Sequence, residues 1–285
     1  MTAIDPTAER NARAHQYSQE GRGDLAIPLF EEVLADRVRV LGTDHPDTLA
    51  SRNNLAGAYW SAGRVGEAIP LFEEVLADRV RVLGPDHPDT LASRNGLAGA
   101  YYSAGRLGEA IPLFEEVLAD RVRVLGDDHP DTLTSRNNLA AAYESAGRLG
   151  EAIPLYEQVL ADRVRVLGEV HPDTLTSRNN LAYAYQAAGR LGEAIPLYEE
   201  VLADRVRVLG EDHPDTLASR NNLAGAYHAV GRLDDARALL ENTLKVCENT
   251  LSPGHPLTTT VRENLETLRR EMNPAPASSP ESSEE

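Results

Sequence analysis

Residues His45–Asp86 read HPDTLASRNNLAGAYWSAGRVGEAIPLFEEVLADRVRVLGPD, and the fold follows from the recurrence of this stretch. The next copy, His87–Asp128, differs from it at four positions: Asn54/Gly96, Trp60/Tyr102, Val65/Leu107 and Pro85/Asp127. Further copies begin with His-Pro at His129, His171, His213 and His255. A fixed period of about 20 to 50 residues is typical of solenoids and other repeat arrays.

Each copy contains two helical patterns. Helix A is predicted over about Thr48–Ser61, with Asp47 as its N-cap and Gly63 as its C-terminal stop. Helix B is predicted over about Val65–Leu83, because apolar residues recur there at helical spacing, and Gly84 ends it.

Leu55, Ala56, Tyr59, Ala68 and Phe72 have a spacing that resembles the tetratricopeptide signature. The 42-residue period, the Leu-Gly-x-Asp-His-Pro-Asp-Thr linker and the Asn-Asn-Leu-Ala core are similar to the kinesin-light-chain type of this repeat. Bacterial arrays of this type resemble the chain well, and many of them lie beside NTPase signalling modules. The resemblance implies an all-α, right-handed superhelical solenoid of antiparallel helix pairs.

The repeats divide the chain as follows. We expect a solenoid over 5–272 with a capping helix over 257–272, and a disordered acidic tail over 273–285, which holds Pro, Ser, Ala and Glu without an apolar anchor. The six predicted repeats are about 5–44, 45–86, 87–128, 129–170, 171–212 and 213–254.

The composition argues against several classes of partner. A net charge of −17 repels nucleic acid phosphates and anionic membranes, so we expect neither as a partner. A basic ligand is favoured at long range, but solubility is the preferred explanation of the negative charge. No apolar stretch has the length of a membrane span, and Met1–Ala8 has no hydrophobic run, which favours a cytoplasmic protein. The basic residues are almost all Arg, with Lys245 the single lysine, which suggests a bacterial source.

Signals for catalysis or cofactor binding are weak. The repeated histidines lie one repeat apart and cannot converge on one metal ion. Cys247 is the only cysteine, so no Cys-based zinc site is possible, and the sequence has no GxxxxGK[ST], HExxH or GxSxG motif. We therefore expect no cofactor, no metal and no catalytic residue.

Basic side chains recur in both helices. Arg37, Arg39 and their copies are predicted to lie on a solvated face of helix B with ion pairs. Arg52 lies at a position where many tetratricopeptide repeats carry Trp. Arg52 and its copies are predicted to pair with a neighbouring helix B glutamate, and contact with an acidic ligand is the alternative.

Candidate binding residues come from positions that vary between near-identical copies. One such position directly follows the helix A tyrosine, and the other lies two residues before that tyrosine. The two positions are three residues apart, hence on one face of helix A, and they match inner-facing positions of the resembling family. The alternative is drift at exposed positions that contact nothing. The candidates at these two positions are His15, Trp60, Tyr102, Glu144, Tyr183, Gln186 and His228.

One asparagine per repeat accompanies these positions. In the resembling family, asparagines on the inner surface hold the backbone of a bound peptide, and an amide offers both a donor and an acceptor. Inter-repeat hydrogen bonding is the alternative. The asparagines are Asn11, Asn53, Asn95, Asn137, Asn179 and Asn221.

The function favoured by these observations is a non-catalytic protein- or peptide-binding scaffold with a concave helix A groove. Trp60 and Tyr102 are the predicted anchors. The partner is predicted to be basic or to carry an apolar anchor, and a separate NTPase signalling protein is a further candidate. Two alternatives remain: a self-assembling structural repeat protein, and an enzyme with a site in the groove near His15 or His228.

Overall fold

The computed structural model of the chain describes residues 6–273, so the predicted tail lies outside the described residues apart from Asn273. These residues form thirteen α-helices and no strand. The chain folds as two compact units that divide within α8, after Leu155. The helices are α1 (Pro6–Gln19), α2 (Gly23–Leu41), α3 (Pro46–Ser61), α4 (Val65–Leu83), α5 (Pro88–Ser103), α6 (Leu107–Leu125), α7 (Pro130–Ser145), α8 (Leu149–Leu167), α9 (Pro172–Ala187), α10 (Leu191–Leu209), α11 (Pro214–Ala229), α12 (Leu233–Thr250) and α13 (Pro256–Met272).

Helix A begins earlier than predicted, because its N-cap is His45 and not Asp47. Pro46 holds His45 in extended backbone and takes the first helical position, where no N–H is needed. The imidazole Nδ1 of His45 then accepts a hydrogen bond from the Asp47 N–H at 3.2 Å. The same bond recurs at His87, His129, His171, His213 and His255.

The predicted glycine stops are confirmed. Gly63 has φ of +73° and Gly84 has φ of +93°, a region that residues with a Cβ rarely adopt. Gly63 reverses the chain between α3 and α4, while Gly84 ends α4 before the next His-Pro.

Each helix pair packs through small and large residues in alternation. Ala56 of α3 and Ala68 of α4 are fully buried, which lets the two helices approach closely, and Phe72 and Val75 fill the core beside them. In unit 1, α1 to α7 contact one another in sequence order, and in unit 2, α9 to α13 do the same. The all-α repeat solenoid predicted from the sequence is therefore confirmed.

Successive repeats are joined by a buried arginine that the sequence placed on a solvated face. Arg79 is only 3% exposed, and its Nη1 donates to the Asp89 carbonyl and to Ser93 Oγ, both at 2.7 Å. Burial lowers the pKa of its guanidinium. Arg81, two residues later, does lie on the surface, where it pairs with Asp44 and Asp78.

Arg52 pairs with an aspartate instead of the predicted glutamate, whereas its copies Arg10 and Arg178 also reach the helix B glutamates Glu32 and Glu200. The Arg52 Nη1 lies 2.6 Å from Asp78 Oδ2, and Arg94 makes the equivalent contact with Asp120. Arg52 stands in the first half of α3, which faces the second half of α4, where Asp78 lies.

A tyrosine near the end of helix A forms a second junction between repeats. The Tyr59 hydroxyl donates to Glu31 Oε1 at 2.6 Å, and the Arg64 guanidinium lies 4.5 Å from the centre of the Tyr59 ring. The hydrogen bond to the carboxylate, with burial, raises the pKa of Tyr59 to about 12. Tyr101, Tyr143, Tyr185 and Tyr227 each donate to the equivalent glutamate.

The last helix covers the sixth helix pair, as predicted. Val261, Leu265 and Leu268 of α13 pack into a buried cluster with Leu240 and Cys247 of α12. Cys247 is fully buried, and burial raises the pKa of its thiol. Among residues 6–273, no helix is long and apolar enough to cross a membrane.

Candidate functional site

The candidate site is the side of helix A that holds the variable positions, here called the helix A face; in α3 it comprises Ala50, Asn53, Gly57 and Trp60. These residues are spaced by three or four and are partly exposed. In unit 1, α3 lies beside α5 and α5 beside α7, so their helix A faces are neighbours. In unit 2, α9, α11 and α13 are arranged in the same order.

In unit 1 the helix A faces enclose a depression of about 250 Å³. It brings together three of the predicted site residues, Trp60, Asn95 and Tyr102, and none of its lining side chains is charged. The full lining is Trp60, Asn95, Gly99, Tyr102, Ser103, Phe114, Asn138 and Ala141.

Trp60 forms one wall of this depression and also joins two repeats. Its indole Nε1 donates to Ser103 Oγ at 2.8 Å, and its ring lies across Gly99, where a Cβ would stand 2.7 Å from Cη2. The Phe72 ring contacts the Trp60 indole edge-on, with 6.5 Å between the ring centroids. The opposite wall is Tyr102, whose hydroxyl lies 2.8 Å from Ser145 Oγ.

The glycine at position 96, where five other copies have Asn, is explained by the position of Phe72. A Cβ at Gly96 would lie 2.7 Å from Phe72 Cε1, and Phe72 in turn contacts Trp60. We therefore interpret the Trp at position 60 and the Gly at position 96 as two coupled differences between the copies.

Gly96→Asn is expected to lower the free energy of unfolding by about 1–3 kcal/mol, because it overpacks the Phe72 site. With Trp60→Ser, which restores the residue type of Ser18 in the first copy, Phe72 can move and the cost should shrink. Urea denaturation of the double-mutant cycle measures this coupling. Gly57→Ala, whose Cβ meets nothing within 4 Å, is the control. If the effects of Gly96→Asn and Trp60→Ser on the free energy of unfolding were simply additive, the two positions would not be coupled.

The asparagines use their oxygens between repeats, which was one of the two predicted roles. Asn179 Oδ1 accepts from Asn222 Nδ2 at 3.1 Å, and Asn221 Oδ1 accepts from Asn264 Nδ2 at 2.9 Å. Asn95 accepts in the same way from Asn138, and Asn53 from the Ser93 hydroxyl. The Nδ2 donors of Asn53, Asn95, Asn179 and Asn221 make no hydrogen bond with residues 6–273.

The remaining predicted residues of unit 1 lie on α1 and α7. His15 is exposed, with Nε2 3.2 Å from Asn54 Nδ2 and its ring edge-on to Phe30. Asn11 is partly buried on the same helix. Asn137 and Glu144 are partly exposed on the helix A face of α7.

In unit 2, the helix A face is more polar and more open. Tyr183 is 53% exposed, and its hydroxyl makes no hydrogen bond with the residues that the structure describes. Gln186 lies one turn further along α9, beside Gly225 of α11. His228 Nε2 lies 2.6 Å from Glu271 Oε2 and so connects α11 with α13.

His228 also lines a smaller depression of about 110 Å³. Its other lining residues are Asn221, Ala224, Gly225, Leu240, Asn264 and Leu268, none of which carries a hydroxyl or thiol. Within 6–273, no group of three or more His, Cys, Asp and Glu side chains is arranged to hold a metal ion.

Repeated helix pairs with adjacent helix A faces define a class of α-helical repeat proteins. The tetratricopeptide repeat family profile matches residues 6–79, 56–121, 105–163, 150–205, 173–241 and 215–279. This chain therefore belongs to the tetratricopeptide repeat family. No curated protein matches the sequence.

Solved structures agree with this assignment. The putative kinesin light chain of Podosopora anserina, with nearly identical TPR-like repeats, is 40% identical; the match covers 72% of this chain and 97% of that one, with a TM-score of 0.65. A Rap protein complexed with competence and sporulation factor is 12% identical, covering 95% of this chain and 77% of that one at a TM-score of 0.65. A Signal Transduction ATPase with Numerous Domains protein from Pyrococcus horikoshii, which has a tetratricopeptide repeat sensor, is 14% identical. The match covers 94% of this chain and 39% of that one, with a TM-score of 0.67. The last two share the fold.

Proposed function

We propose that this chain is a non-catalytic scaffold that binds a protein or peptide along its helix A faces. The observation that carries the proposal is the contrast within the repeats: near-identical copies differ at the partly exposed positions of this face. The exposed Tyr183 ring and the unused Asn amide donors are suited to contact a polypeptide.

The family and two neighbours of the same fold support a polypeptide partner. The Rap protein was solved with competence and sporulation factor, and the ATPase of Pyrococcus horikoshii uses its tetratricopeptide repeats as a sensor. By analogy, an NTPase signalling protein is a candidate partner of this chain. The helix A faces of the described repeats are mainly uncharged, which favours a partner with an apolar anchor over a basic one.

Affinity capture from a lysate of the source cell tests the proposal, with two variants that each alter one unit. Tyr183→Ala/Gln186→Ala removes exposed side chains in unit 2, and Trp60→Ala/Tyr102→Ala removes the two aromatic walls in unit 1. We expect at least one pair to weaken a captured partner by about tenfold or more. Glu74→Ala, on the exposed side of α4, is the control and should leave capture unchanged.

The Trp60 pair needs a stability measurement beside it, because Trp60 also joins two repeats. Circular dichroism and a urea midpoint near that of the wild type would show that lost capture is not lost folding. Capture that survives in both variant pairs would contradict the proposed surface.

If the chain instead assembles with itself, affinity capture should retain no specific partner, and sedimentation should show an oligomer. One surface argues against stacking through α1: Glu9, Arg13 and Gln16 are exposed there, at positions that hold buried residues in α3. Stacking another copy on that helix would bury charges without defined partners.

A further inference from the structure

We propose that the depression between Trp60 and Ala141 binds one uncharged aliphatic side chain of an extended partner segment. This inference rests on the proposed scaffold function and specifies the chemistry of its partner. The depression would then select a partner by the apolar side chain that the partner carries and not by the partner's positive charge, although this chain has a net charge of −17.

The lining of the depression carries the first argument. Trp60, Tyr102, Phe114 and Ala141 supply apolar surface, and the other lining residues are Gly, Ser and Asn. A lysine or aspartate head placed there would lose water without an opposite charge among the lining side chains. An aliphatic side chain instead gains from leaving water, in proportion to the apolar area that it buries.

The walls are already fixed without a ligand, which is the second argument. Hydrogen bonds hold the Trp60 indole to Ser103 and the Tyr102 hydroxyl to Ser145. A preformed pocket avoids the entropy cost of ordering its own side chains on binding. These contacts distinguish the depression from a surface on which aromatic rings are free to move.

An unused polar group gives the third argument and indicates an extended segment. Asn95 lines the depression, and its Oδ1 already accepts a hydrogen bond from Asn138. Its Nδ2 donors make no hydrogen bond with the described residues and can reach a backbone carbonyl of the bound segment. An apolar side chain beside a backbone carbonyl is what a peptide in extended conformation presents.

The other copies show that this combination is specific to the α3–α5–α7 surface within the described repeats. Gly99 accommodates the Trp60 ring, and the small Ala141 side chain leaves space within the depression. In unit 2, the positions equivalent to the walls hold Gln186 and His228, and Tyr183 occupies the position equivalent to Ala141. The unit 2 surface is therefore polar where the unit 1 surface is apolar.

Trp60 is the only tryptophan of the chain, so its fluorescence reports on this depression directly. The probes are N-acetylated, C-amidated pentapeptides Ala-Ser-Xaa-Ser-Ala with Leu, Lys or Asp at Xaa. We expect a saturable change with the Leu peptide and binding at least about tenfold weaker for the Lys and Asp peptides. Equal binding of the Lys peptide, or no saturable change with the Leu peptide at millimolar concentration, would overturn the inference.

Ala141→Tyr closes the depression in the full-length chain. The substitution suits the fold because Tyr183 occupies the same position on α9. We expect it to abolish the response to the Leu peptide. Gly66→Ala is the control, since Gly66 is exposed on α4, lies outside the helix A faces and the depression, and has open space around it. An unchanged response in Ala141→Tyr would also overturn the inference.

The same variant separates this inference from the proposed function. A partner captured from lysate equally well by the wild type and by Ala141→Tyr would support the scaffold function and reject this pocket. Binding of the Leu peptide without any captured partner would support the pocket and count against the scaffold function.

Discussion

Leu265→Ala is expected to increase the rate at which Cys247 reacts with a thiol reagent by about 30- to 4,000-fold. Leu265 of α13 is 2% exposed and packs into the same cluster as Cys247, which is fully buried. Truncation of a buried leucine costs about 2–5 kcal/mol, and each 1.4 kcal/mol is a factor of ten in an opening equilibrium. The protection of Cys247 therefore measures how firmly α13 covers the sixth helix pair.

Two effects protect this thiol in the native chain. Access is blocked because Val261, Leu265 and Leu268 pack over the cluster that contains Cys247. Burial also raises the pKa of the thiol, so less of the reactive thiolate is present at neutral pH. Labelling therefore has to proceed through local opening of the packing between α13 and α12.

Glu266→Ala is the matched control, because Glu266 is adjacent to Leu265 but exposed. Its labelling rate should stay within a few-fold of the wild type, as expected for a surface substitution. The wild type and each variant are reacted with a chromogenic disulfide reagent, once as the native chain and once unfolded in urea. The two rates compare the protected thiol with the unprotected one. If Leu265→Ala reacted at the wild-type rate, α13 would not be the element that protects Cys247.

Helix boundaries were the most predictable part of the fold. Helix B was predicted over Val65–Leu83, as the structure has it, because Gly63 and Gly84 require positive φ and mark its ends. The start of helix A was wrong by two residues. Asp is a common N-cap, but Pro46 forces the preceding His45 into the extended backbone that an N-cap needs.

Arg79 shows what a single sequence could not give. Its charge and its spacing from nearby acidic residues suggested a solvated face, but its partners are a backbone carbonyl and a serine of the next repeat. Backbone acceptors carry no sequence signal, so this buried junction is invisible without the fold.

The candidate site was predictable in location and not in detail. Differences between the copies pointed to Trp60 and Tyr102, which the structure places in one depression. The partners that pin them, Ser103 and Ser145, lie 43 residues along the chain from each ring. A signal was present: this serine position is Ala187 and Ala229 in the two repeats that follow those with Glu144 and Gln186 at the ring position. Such a correlation can be interpreted only when the adjacency of the helices is known.

Raising the pH from 10 to 12 is expected to destabilise the fold, because buried tyrosines lose the protons that they donate to glutamates. The hydrogen bond to Glu31 and burial raise the pKa of Tyr59 to about 12, and burial with the equivalent hydrogen bonds raises the pKa of Tyr143 and Tyr185 to about 12. Since each folded value exceeds the unfolded value of about 10, the stabilisation is complete below pH 10. It is lost as the pH rises through 12.

The size of the effect follows from linkage. Each tyrosine that is protonated in the folded state and ionised in the unfolded state lowers the free energy of unfolding by about 1.4 kcal/mol per pH unit. Tyr101 and Tyr227 contribute in the same direction, because their pKa values are also raised. Urea midpoints measured from pH 9 to 12 should therefore fall steeply only above pH 10.

Tyr59→Phe tests the assignment of this slope to the tyrosine junctions. Without its hydroxyl, the variant should be less stable at pH 9, since Glu31 loses its donor, but its stability should fall less steeply above pH 10, by about one proton equivalent. Tyr183→Phe removes an exposed hydroxyl that makes no hydrogen bond with the described residues and should retain the wild-type slope. Parallel slopes for Tyr59→Phe and the wild type would mean that general charge repulsion, and not the junction between α2 and α3, governs alkaline unfolding.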